Sequence, residues 1–157
     1  MHGRSARTVA VPLAASLALA VAVGTGCARP SPRPIAWGEE SCRHCHMTIA
    51  DPRFAAELVT RTGLVYTFDD VGCLVAFVRA GTVPAGQVHS LWVYDYLQPD
   101  SMLDARLAVY LAVDTLPTPM GSHLVALRSG ASADSLRRRL GGRLLDWSAL
   151  PSRGHDG

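Results

Sequence analysis

Lysine and asparagine are missing from this chain of 157 residues, so apart from histidine its basic side chains are all arginine. We read this as a compositional bias of the coding sequence without functional meaning. The formal net charge is only +2. No stripe of arginines is interleaved with aromatics, which argues against a nucleic-acid partner. The single basic run, Arg137-Arg138-Arg139, is explained better as a solvated helix face than as a docking patch. No phosphate loop, oxyanion hole or base-paired nucleophile can be picked out. Asp51, Asp69 and Asp70 are candidate general bases, but a turn at Asp51-Pro52 and helix capping at Asp69 or Asp70 account for them better. We therefore expect neither an enzyme nor a small-molecule substrate. A structural zinc site needs four ligands, and the absence of a second CxxC or an HxxxH weakens zinc.

Long hydrophobic runs are also scarce, with one exception at the start. Arg4 and Arg7 form a basic segment free of acids, and residues 9–23 contain only Ala, Val, Leu, Pro and Ser. That run is short for a membrane span and is followed by small residues, as in a secretory signal. The small residues end at Gly24-Thr25-Gly26-Cys27, which looks like a lipoprotein signal with Cys27 acylated, although Gly24 stands where Leu is usual. An ordinary cleaved signal with an incidental Cys is the alternative. We expect residues 1–26 to be a lipoprotein-type signal peptide and 27–36 a Pro-rich tether stiffened by Pro30, Pro32 and Pro34. One domain over 37–150 and a disordered tail over 151–157 complete the division. The expected location is the cell envelope, lipid-anchored to a membrane and facing the periplasm or exterior.

Cysteine is sparse. Setting Cys27 aside leaves Cys42, Cys45 and Cys73, an odd number in an oxidising compartment, so at least one thiol is free, buried or metal-bound. Two of them fall in Cys42-Arg43-His44-Cys45-His46-Met47, where thiols, imidazoles and a thioether crowd into six residues. Soft thiolate and thioether ligands select Cu(I). Cys45 and Met47 are two apart, so an extended segment would present both on one side. Cys42 and Cys45 have three readings: metal ligands, which we favour, a redox dithiol, or a structural disulfide. A thioredoxin-type dithiol belongs at a helix N-terminus after a strand, and here a loop and Asp51-Pro52 follow instead. Met120 stands between Pro119 and Gly121, an odd setting for a core residue and a better one for display. Met102 reads as packing, and Cys73 as a small buried hydrophobe. His46 and His123 neighbour proposed ligands but are weaker candidates, and His44, His89 and His155 weaker still.

Hydrophobic patterning gives strands at 55–60 and 64–68 around a turn at 61–63. A helix follows from Val71 to Arg79 after Asp69-Asp70, and then a strand over 91–96. The second half repeats the order: a strand over 107–113 (or a helix opening at Asp104), a Pro-rich loop over 115–121 and a strand over 123–128. A short helix capped by Ser132 then runs to Leu140, with a last strand over 143–147. The expected fold class is α+β, a single domain of two tandem ββαβ units.

Taken together, several motifs resemble the NosL family, the nitrous-oxide-reductase accessory lipoproteins. They are Cys42-x-x-Cys45-x-Met47-x-Ile49, Asp51-x-Arg53-Phe54-Ala55-Ala56-Glu57, Phe68-Asp69-Asp70-Val71-Gly72-Cys73, Trp92-Val93-x-Asp95-Tyr96 and Thr118-Pro119-Met120-Gly121-Ser122. The resemblance implies Cu(I) binding in the envelope and delivery toward nitrous oxide reductase or its assembly transporter complex. It also implies paired ββαβ units similar to those of the organomercurial lyase. By position it assigns Cys45, Met47 and Met120 as copper ligands and does not assign Cys42, which we expect either to serve as an accessory ligand during transfer or to form a disulfide with Cys45 when copper is absent. The alternative is an envelope thiol–disulfide oxidoreductase using Cys42 and Cys45.

Overall fold

The structure is a computed structural model that describes residue 3 and residues 29–151. The segment expected to be a signal peptide, apart from residue 3, together with Cys27 and the residues beyond Pro151, lies outside the described residues. Strands β1 (Ala56–Thr60) and β2 (Val65–Phe68) pair antiparallel across a turn in which Gly63 takes φ +85°, a conformation glycine adopts without strain. All five β1 residues are buried, as a strand flanked on both sides requires. Helix α1 (Val71–Arg79) starts where the Asp70 carboxylate accepts the Gly72 N–H at 2.7 Å. Its apolar side buries Val71, Leu74, Val75 and Phe77, and the Phe77 ring meets Tyr66 at 5.4 Å and Phe68 at 5.2 Å. Strand β3 (Val88–Asp95) then returns antiparallel to β1.

The second unit comprises β5 (Val109–Ala112), β6 (Leu124–Leu127), α2 (Gly130–Leu140) and β7 (Arg143–Leu145). Between the units, β4 (Gln98–Asp104) folds back as a hairpin on β3. The sheet order is β2-β1-β3-β6-β5-β7, with β4 paired to β3 off this path. Each ββαβ unit therefore places its first strand between its second and third, and the parallel contact Asp95–Ala126 joins the two units. Alternate residues of β5 and β6 divide between two apolar clusters: Tyr110, Leu124 and Ala126 with α1, and Leu111, Val125 and Leu127 with α2. Strand alternation thus puts the helices against opposite faces of the sheet.

Three sequence expectations need correction. Strand β4 was not foreseen, because Gln-Pro-Asp-Ser-Met-Leu-Asp has little β propensity; its partner β3 imposes the conformation. Helix α2 is capped by Ser129, whose hydroxyl accepts the Ser132 N–H at 3.3 Å, so Ser132 lies inside the first turn. Residues 105–107 form a turn, so neither a helix from Asp104 nor a strand from Leu107 forms there. Near the start of the described residues, the Arg33 N–H donates to Glu57 Oε2 at 3.1 Å and Ile35 is buried. The Pro-rich stretch is thus held to the sheet from Arg33 onward.

Candidate metal centre

Residues 41–48 form a tight hairpin. Ser41 and Thr48 bridge, the Cys42 N–H donates to the Met47 carbonyl at 2.8 Å, and the His46 N–H donates to the Cys42 carbonyl at 3.0 Å. His46 turns the chain at φ +64°, unusual for a residue other than glycine. The Arg43 N–H donates to the Thr67 carbonyl at 2.8 Å and ties the hairpin to β2. Its two thiols end in different settings. Cys42 is wholly buried, Cys45 is part-buried, and Met47 at the rim is 50% exposed. His44 and His46 are exposed.

The loop-to-helix junction after β2 meets this hairpin. Asp70 caps α1, while Asp69 faces Cys45, whose Sγ lies 3.4 Å from each carboxylate oxygen. Cys73 follows in the first turn of α1. The ligand atoms of Cys42, Cys45, Asp69 and Cys73 all lie within 4.8 Å of one another. All three cysteines are free thiols. The Cys42 thiol is pulled down to about 7 because the Cys73 thiol hydrogen-bonds to its sulfur, outweighing burial. Burial pushes Cys45 up to about 12, and the bond to Cys42 together with burial pushes Cys73 up much further. The cluster therefore favours one thiolate, centred on Cys42, with the other thiols as its donors. A soft cation would replace those protons.

Met120 is carried by a loop clamped to the same junction. Its N–H donates to Asp70 Oδ2 at 3.0 Å, so one carboxylate both caps α1 and holds the loop. The His123 ring nitrogen Nδ1 lies 2.8 Å from the Leu116 carbonyl, and the His123 N–H donates to Thr118 Oγ1 at 3.2 Å. With φ +59°, His123 closes the loop. Gly72 allows the loop to approach closely: a Cβ there would lie 2.6 Å from the Ser122 Cβ. The Met120 side chain is half-buried against the core.

Of the residues picked out from the sequence, Cys42 and Cys45 come together in one cluster. Met120 is held one residue from Asp69, and Met47 sits on the rim two residues from Cys45. Sequence reasoning missed Asp69 and Cys73 as members of the cluster. Cys73 is buried, as expected, but among thiols as well as apolar side chains. Residues 69 and 73 are one helical turn apart across the start of a helix, a spacing that a helix cap and a buried helix residue share, so it carried no signal of its own. The objection to zinc from ligand count also falls, because four donors converge from segments too far apart to form a spaced motif. Met102 packs against the core, as expected.

Other motif residues serve the scaffold. The Arg53 guanidinium bonds the Asp51 carboxylate at 2.6 Å and lies over the Phe54 and Tyr96 rings at 5.3 and 5.7 Å. Asp95 is buried, accepts the Leu97 N–H at 3.0 Å and lies 3.7 Å from Arg128. Glu57 is wholly buried with Oε1 unpartnered, and burial lifts its carboxyl to about 7.

No curated protein matches the chain. Among solved structures, it is similar to the crystal structure of the copper chaperone NosL from Shewanella denitrificans. The TM-score is 0.64 at 22% identity, covering 77% of this chain and 96% of that one, a likeness of fold. The family model described as NosL matches residues 35–153, most of the chain and all four clustered side chains, and the chain belongs to the NosL family.

Proposed function

We propose that this chain is an extracytoplasmic lipoprotein, anchored through Cys27, that carries Cu(I) and delivers it to an envelope copper enzyme. Nitrous oxide reductase or its assembly transporter complex is the expected acceptor. Copper is the cargo. Cys45 supplies the thiolate, Met47 and Met120 supply thioethers, and Cys42 is an accessory thiolate during transfer. Family membership and the likeness to a copper chaperone support copper as the ion. The donor chemistry agrees, because sulfur-rich low-coordinate sites suit Cu(I), and thioethers discriminate against Zn(II).

One arrangement carries the assignment of residues. The neighbours Asp69 and Asp70 face two ways, Asp69 to Cys45 Sγ at 3.4 Å and Asp70 to the Met120 N–H at 3.0 Å. The thiol and the methionine loop are thereby brought to the same two-residue junction. Met47 and Cys45 remain accessible, as an acceptor protein would require, whereas Cys42 is sealed. That sealing disfavours the thiol–disulfide alternative, since an exchange partner could not reach the thiol with the lowered pKa.

The test is Cu(I) titration against a competing chelator for the wild type and for Cys45→Ser, Met47→Leu and Met120→Leu. Each variant is expected to lose at least tenfold in affinity, and unchanged affinity in all three refutes the site. Delivery is tested by the copper content of nitrous oxide reductase in cells lacking the gene, which should fall. Anchoring is tested with Cys27→Ser, which should move the protein from the membrane fraction to the soluble one.

A further inference from the structure

Cys73 and Asp69 are left over from the delivery site, yet they form its inner wall. We propose that the chain has a second, inner position for the same Cu(I) ion, in which Cys42, Cys45 and Cys73 supply three sulfurs. The inference rests on the delivery reading only for the identity of the ion; the cluster itself is a matter of geometry. All three sulfurs lie within 4.8 Å of one another. A trigonal site with metal–sulfur bonds of about 2.3 Å needs sulfurs about 4.0 Å apart, so a small contraction closes the shell. Cys42 and Cys73 are buried to 0% and 3% exposure, while Cys45 is part-buried and forms the way in.

Cys45 belongs to both positions, so they are alternatives for one ion. At the rim, copper would be held by Cys45 and the two thioethers, open to an acceptor. Moving inward breaks the Cu–thioether bonds and forms bonds to the Cys42 thiolate and to Cys73, whose thiol releases its proton to water. Copper stays Cu(I) throughout and no electron moves. Asp69, 3.4 Å from Cys45 Sγ, stands beside the sulfur that both positions share. The inner position protects copper, and the rim position releases it.

Two measurements on the full chain in detergent decide the matter. In Cu(I) competition titrations, Met47→Leu/Met120→Leu should still bind one equivalent. Adding Cys73→Ser should then lower affinity at least a further tenfold. Loss of all binding in the double variant, or no effect of Cys73→Ser, overturns the inner position. A double variant that binds and transfers Cu(I) like the wild type refutes instead the thioether delivery site and leaves the inner one standing. Because Cys73→Ser replaces a buried side chain, wild-type protein loaded with 113Cd(II) provides a reading that needs no variant. A cadmium NMR resonance in the three-thiolate range supports the proposal, and one in the single-thiolate range refutes it.

Discussion

Asp70→Ala should damage both the fold and the copper site, by amounts that follow from two hydrogen bonds. Oδ1 accepts the Gly72 N–H at 2.7 Å and Oδ2 accepts the Met120 N–H at 3.0 Å, and the side chain is wholly buried. Losing the helix cap costs about 1 kcal/mol. Leaving the Met120 N–H without its charged acceptor costs about 1–3 kcal/mol more. The sum, about 2–4 kcal/mol, corresponds to a fall in Tm of roughly 10 °C for a domain of this size. Urea unfolding of the copper-free chain measures the first effect. Competition titration measures the second, in which Cu(I) affinity should fall at least tenfold as the Met120 loop comes loose. Asp70→Asn keeps one oxygen and should recover about half of the stability. A stability change within about 0.5 kcal/mol of wild type refutes the double anchoring. Full destabilisation with unchanged copper affinity refutes Met120 as a ligand held by that anchor.

Gly72→Ala forces a Cβ to within 2.6 Å of the Ser122 Cβ, so it should displace the 118–122 loop. The expected cost is about 1–3 kcal/mol by denaturant unfolding, with weaker Cu(I) binding. Glu57→Gln should be more stable than wild type at pH 8 by about 1–2 kcal/mol, allowing for screening by water. The sign follows from the raised carboxyl: the folded chain holds near pH 7 a proton that the unfolded chain releases near 4.5, so wild-type stability falls as pH rises between them. The gap should vanish below pH 4.5, and urea midpoints across that range check it. Tyr110→Phe removes the hydroxyl that donates to the Ala105 carbonyl at 2.5 Å in the buried core; it should cost about 1–2 kcal/mol by thermal unfolding.

The helix at 71–79 was legible because its caps and periodicity are local, and the strands around it were bounded by turn residues. Strand β4 was not, since its polar sequence pairs only because β3 lies alongside. The Ser129 cap was missed for a smaller reason: Ser129 and Ser132 are both plausible caps, and backbone direction at the loop decides between them. At the site, Cys45, Met47 and Met120 could be singled out by residue type and by unusual neighbours. Asp69 could not, because an acid before a helix reads as a cap, and here that role belongs to its neighbour Asp70.

By itself the sequence determined the α+β class, the order of the elements apart from β4, the odd number of thiols and a soft-ligand motif. These depend on composition and on spacings of a few residues, which a chain carries whether or not it is folded. Only the tertiary structure decided that Cys73 and Asp69 join Cys42 and Cys45 within 4.8 Å, and that the Met120 loop is fastened to the same helix start. It also decided that Cys42 is sealed while Met47 is exposed. Those facts depend on how a hairpin, a helix terminus and a distant loop meet in the folded chain, which spacing along the chain does not encode.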